Sequence, residues 1–102
     1  MTRPEDCTDM AELRGVIDGI DADLVALLAR RQACIDRAIV LKQKENLPAL
    51  IPDRVEEVIR KVRAGARDTG LDGDLAELLW RMLIDWAIAR EAVELGEPGR
   101  EA

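Results

Sequence analysis

Apolar residues return every three or four positions from Leu13 through Ile17, Ile20, Leu24, Leu27/Leu28, Ile35 and Ala38. That is the period of one face of an α-helix. Asp9 followed by Glu12 has the form of a capping box. No proline or paired glycine interrupts the rhythm until Pro48. The pattern predicts one helix over residues 9–45, with Gly15 and Gly19 tolerated inside it, and a loop from Glu45 to Ile51. Pro52 suits the first turn of a second helix, where a missing N–H costs nothing. Val55, Val58/Ile59, Val62 and Ala66 form its stripe, and Gly70 closes it. Asp72 or Asp74 caps a third helix, which Gly96 ends. Leu75, Leu78/Leu79, Met82/Leu83, Trp86, Ala89 and Val93 are read as its core face. The fold class is therefore all-α, with one long and two shorter helices in a single domain. Residues 1–8 are read as a flexible leader and 97–102 as a frayed tail.

The length of the first helix argues for a partner. About 36 residues at 1.5 Å each make roughly 54 Å, whereas a compact domain of this size has a radius of gyration near 13 Å. An apolar stripe along such a helix overhangs anything one chain wraps around it. Two long helices packed antiparallel in an intertwined homodimer are the simplest cover. A lone extended hairpin is the alternative.

Composition narrows the chemistry. The 102 residues hold no histidine, tyrosine or phenylalanine, and two tryptophans are the only aromatics. Histidine-based nucleophile systems and histidine metal ligands are excluded. Cys7 and Cys34 form no CxxC pair, and two cysteines cannot build a zinc site unaided. Cys34 falls among apolar positions and is read as a small buried residue. No metal and no cofactor is expected. The net charge of −6 and the lack of stacking aromatics argue against nucleic acid. No apolar run approaches the roughly 18 residues that would span a bilayer, so no membrane partner is expected and the cytoplasm is the expected location. The charge is uneven, however. Residues 30–67 carry ten of the fifteen Lys/Arg and five of the twenty-one Asp/Glu. A basic middle in an acidic chain suggests a local anion site.

Several charges interrupt the apolar stripes. Arg31, Ile35, Ala38 and Lys42 share one side of the first helix, with the two cations about 16 Å apart. Trp80, Ile84, Ala87/Ile88, Glu91 and Leu95 lie along one side of the third, where Glu91 breaks the apolar series. Such charges are costly unless an anion or a counter-charge meets them. On spacing alone, a structural salt bridge from Glu91 to Lys42 or Arg31 is the favoured reading. Arg54 stands in the first turn of the second helix, where the dipole also favours anions.

These residues, in this order, resemble the all-helical chorismate mutases, including the related isochorismate-pyruvate lyases that make salicylate. The resemblance rests on Leu13-Arg14, Ile17-Asp18, Ile20-Asp21, Leu27-Leu28-Ala29-Arg30-Arg31, Lys42, Pro52-Asp53-Arg54-Val55, Gly70-Leu71-Asp72 and the last helix. The leader Pro4-Glu5-Asp6-Cys7-Thr8 looks more like the lyase branch. The resemblance implies a homodimer acting on a small dicarboxylate, with Arg14 reaching across the interface into the other subunit's site. It implies that Arg14 and Arg31 bind carboxylates and that Lys42 and Glu91 face the breaking ether. It further implies that Arg54 assists binding, beside walls at Ala38, Ile84 and Ile88. Three positions depart from the family pattern. Glu91 stands where glutamine is common. Ile51 and Val55 replace an acidic pair, and Ala87 replaces a serine. For Glu91 to donate a hydrogen bond to the ether oxygen, its carboxyl would have to carry a proton. The activity expected is chorismate to prephenate. Isochorismate-pyruvate lysis on the same site is the runner-up, and a catalytically silent dimerisation module is the rival from another class.

Overall fold

A computed structural model describes residues 2–96; the expected frayed tail at 97–102 lies outside the described residues. A short 3-10 turn, Pro4–Asp6, precedes three α-helices: α1, Met10–Glu45; α2, Pro52–Thr69; and α3, Gly73–Leu95. There is no strand among the described residues. The chain divides into two units, Met1–Cys34 and Ile35–Ala102, and α1 runs from one into the other.

In the N-terminal unit the capping box forms with a variation. Asp9 accepts from the Glu12 N–H at 2.8 Å. The Glu12 carboxylate reaches past Asp9 to the Thr8 N–H and hydroxyl, both at 3.1 Å. The reciprocal bond thus falls one residue earlier than the motif requires. The leader holds a hydrogen-bonded turn, Asp6 N–H to Arg3 carbonyl at 3.0 Å, supported by the Arg3–Asp6 ion pair.

No residue of α1 is buried within the chain. Ile17, Ile20, Leu24, Leu27 and Leu28 of its stripe are exposed. Cys34 is exposed too, which corrects the expectation of a buried thiol: it lies on the uncovered side of α1, while Ile35, Ala38 and Ile39 near it are half-buried. Both cysteines are free.

In the second unit α2 and α3 pack as a hairpin. Pro52 opens α2, and the Ile51 carbonyl accepts from the Arg54 and Val55 N–H groups; Ile51 offers no capping side chain. Gly70, at φ 80°, closes α2 in the left-handed conformation that glycine takes without strain. Asp72 caps α3, accepting from Asp74 and Leu75 at 2.9 and 3.0 Å. Ile59 and Ala66 of α2 are buried, as are Ala76, Ile84 and Ala87 of α3. The face of α3 turned inward is therefore the series carrying Ile84, Ala87 and Glu91. Of the expected core face, Leu75, Leu78, Leu79, Met82, Trp86, Ala89 and Val93 are exposed and Leu83 is half-buried. The helix is apolar on more than one side, and periodicity does not say which side meets α2. Arg63 of α2 joins Asp74 and Glu77 of α3 at 2.8 and 3.1 Å, on the rim of the hairpin.

Candidate functional site: a buried lysine–glutamate pair

α1 ends in a turn that organises the site. Asn46 takes a left-handed conformation at φ 57°. The Leu47 N–H bonds back to the Lys42 carbonyl at 2.8 Å and the Asn46 N–H to the Gln43 carbonyl at 3.4 Å. This is a Schellman-type end with asparagine in glycine's usual place. The turn sends the chain back so that Ala49 is buried. The Ala49 carbonyl accepts a hydrogen bond from Lys42 Nζ at 2.8 Å.

The same ammonium stands 2.6 Å from Glu91 Oε1. The glutamate side chain is 5% exposed and the lysine 19%. Glu91 is the only buried charged residue among those described. Its Oε1 makes no hydrogen bond of good angle. The contact is a close ion pair, and the directed bond from Nζ goes to the Ala49 carbonyl. An ammonium has three N–H donors. With one on Ala49 and one side turned to Glu91, a donor remains for a ligand.

Of the expected wall positions, Ile84 and Ala87 are buried, while Ala38, Ile51, Val55 and Ile88 are half-buried. Arg54 is exposed and pairs with Glu57 one turn on, so its guanidinium is already engaged within α2. Arg14 and Arg31 belong to the N-terminal unit, Arg14 exposed and Arg31 half-buried. The second unit thus brings together Lys42 and Glu91.

Two features escaped the sequence reading. The Ala49 carbonyl is a backbone acceptor, which no side-chain pattern announces. The second is a fork between Arg90 and Asp36, with Nε–Oδ1 at 2.6 Å and a terminal nitrogen to Oδ2 at 3.2 Å. The Arg90 guanidinium lies 5.2 Å from the centre of the Trp86 ring. Among the described residues no group of Cys, Asp and Glu could hold a metal, and no helix is long and apolar enough to cross a membrane.

The family described as chorismate mutase type II matches residues 13–92. The chain is 38% identical over 92 residues to the isochorismate pyruvate lyase of Pseudomonas aeruginosa, covering 89% of each protein. It is 28% identical over 82 residues to the T-protein of Haemophilus influenzae, covering 80% of this chain and 22% of that protein. It is 37% identical over 54 residues to a bifunctional chorismate mutase/prephenate dehydratase of Aquifex aeolicus, covering 53% of this chain and 15% of that protein. The helices, the buried Lys42–Glu91 pair and a match spanning most of the sequence converge: the chain belongs to the chorismate mutase type II family.

Proposed function

We propose that the chain is a chorismate mutase, converting chorismate to prephenate in an intertwined homodimer. The observation that carries this reading is the half-buried Lys42 ammonium, held by a backbone carbonyl and a buried carboxylate. A pericyclic rearrangement needs no nucleophile and no proton shuttle. It needs a dianion held folded and a fixed positive charge where the ether oxygen becomes negative. Lys42 supplies that charge with its remaining donor. Arg31 and the partner's Arg14 bind the two carboxylates through planar forks. Arg54 assists once it exchanges Glu57 for substrate. Ala38, Ile84, Ala87 and Ile88 exclude water from the pair, and Ile51 and Val55 close the loop side. The exposure of Ile17, Ile20, Leu24, Leu27 and Leu28 on α1 supports the dimer, since such an apolar surface calls for cover.

Glu91 has two roles in this reading. Ionised, it fixes Lys42 and offsets part of its charge. Protonated, it donates to the ether oxygen alongside Lys42.

A second reading is isochorismate-pyruvate lysis, which gives salicylate and pyruvate. It is favoured by the 38% identity to the Pseudomonas aeruginosa lyase over 89% of both proteins. One assay separates the two: purified protein is given chorismate and then isochorismate, and prephenate and salicylate are followed. Prephenate from chorismate at the higher kcat/KM supports the mutase. Salicylate as the dominant product makes the lyase the function.

A further inference from the structure

α1 and α3 are linked twice in the second unit, with opposite polarity. At Lys42–Glu91 the cation comes from α1. At Asp36–Arg90 it comes from α3. Arg90 and Glu91 are consecutive, so their side chains project about 100° apart around α3. Turning α3 by one residue would bring Arg90 toward Lys42 and set two cations together. The charge order therefore admits one register and opposes its neighbour.

The two links also differ in geometry. The inner pair is close but lacks a well-angled hydrogen bond at Glu91 Oε1. It supplies attraction without fixing rotation. The outer pair is a fork, with two N–H groups on two carboxylate oxygens. A fork fixes distance and orientation together. Arg90 is further restrained from its own helix by the Trp86 ring one turn back.

We propose that Arg90 and Asp36 are positioning residues for the site, setting the register of α3 against the end of α1 that brings Glu91 onto Lys42. Neither touches the substrate. Both side chains are about half exposed, and such pairs contribute little to global stability. Their effect lies in placement, to which chemistry is far more sensitive than folding is. The catalytic half of the proposal rests on the mutase reading; the placement of Lys42 does not.

The test uses Asp36→Asn, Arg90→Met and Arg90→Lys in the full chain, with two readouts. One is acetylation of Lys42 by acetic anhydride, mapped by mass spectrometry against exposed Lys44 and Lys61. The other is kcat and KM with chorismate. Removing either charge should raise Lys42 labelling about threefold or more, lower kcat about three- to tenfold and leave KM within about twofold. Arg90→Lys, which keeps the charge but not the fork, should fall between wild type and Arg90→Met. The double variant Asp36→Asn/Arg90→Met should be no worse than the weaker single, because the two act as one unit. Unchanged Lys42 labelling in both charge-removing variants, with helicity intact, overturns the proposal. So does an unchanged kcat in an enzyme active on chorismate. If the wild type turns over neither chorismate nor isochorismate, the functional reading fails and the labelling alone decides the pair: a rise supports it, no rise overturns it.

Discussion

Lys42 and Glu91 meet at 2.6 Å across 49 positions of sequence, and the carboxylate is the more deeply buried of the two. The asymmetry matters. Removing the lysine strands a buried anion, whereas removing the glutamate leaves a cation that still has the Ala49 carbonyl and some access to water.

Lys42→Met keeps the apolar stem and deletes the charge. Breaking a buried pair from one side typically costs about 3–5 kcal/mol, whereas replacing both partners with apolar groups is often neutral. Lys42→Met should therefore be markedly less stable than Lys42→Met/Glu91→Leu. Urea midpoints of both variants and the wild type check this. Equal stability of the single and double variants would mean that Glu91 is not stranded.

The same charge should matter more to the chemical step than to binding. Losing one preorganised donor to a developing oxyanion typically costs about 10²–10³-fold in rate. Lys42→Met should lower kcat by that order with KM little altered, measured in a variant shown to be folded. An effect confined to KM would remove Lys42 from the chemistry and leave it a carboxylate binder.

Glu91→Gln separates the two roles of that residue. The amide is nearly isosteric and donates a hydrogen bond whatever the pH. If donation to the ether is what position 91 supplies, kcat at neutral pH should be maintained or raised. A large loss of kcat in the folded variant would assign Glu91 to holding Lys42.

Arg14 is proposed to serve the other subunit, and mixing tests it. Arg14→Ala and Lys42→Met chains, each inactive alone, should complement when unfolded and refolded together. Half of the dimers formed at random are mixed, and each mixed dimer keeps one intact site. The mixture should therefore reach about a quarter of wild-type activity per chain. No recovery would place Arg14 and Lys42 in the same chain's site.

Acid should weaken the Asp36–Arg90 link. The hydrogen bond from Arg90 holds the Asp36 carboxyl below its ordinary value, outweighing the opposing effect of desolvation, and the guanidinium charge adds to the lowering. A carboxyl lowered in the folded state adds stability that is complete above its unfolded value of about 3.9 and lost as pH falls through the folded one. Asp36→Asn should thus be less stable than wild type at neutral pH, with the difference closing as pH falls below the carboxyl's ordinary value of about 3.9. Urea midpoints across that range check the sign. Glu57, held down chiefly by the bond from Arg54, and Glu77, held down by Arg81, should fade in the same direction.

The parts of the fold legible in sequence are those that local chemistry specifies. Pro52, Gly70, Asp72 and Gly96 mark helix ends because proline, left-handed glycine and a capping carboxylate each act on their own few residues. Lys42 and Glu91 stood out because a charge on an apolar stripe needs a partner. What stayed hidden depends on which surfaces meet. α3 offers an apolar series on two sides, and only packing selects the one with Ile84 and Ala87. Asp36 and Arg90 are ordinary charges on exposed faces, and nothing in either helix alone names the other as its counterpart.

The grip of the Ala49 carbonyl on Lys42 has an evolutionary consequence. Every residue type carries a carbonyl, so point substitutions along this loop leave the lysine's anchor in place if position 49 stays small enough to be buried and position 46 keeps a residue that tolerates the left-handed turn. A change in loop length removes it at once, because the acceptor's position depends on the chain path set by the turn at Asn46. Relatives with this anchor should drift freely in loop sequence while keeping the number of residues between Lys42 and Pro52, a constraint written in spacing and invisible in residue identity.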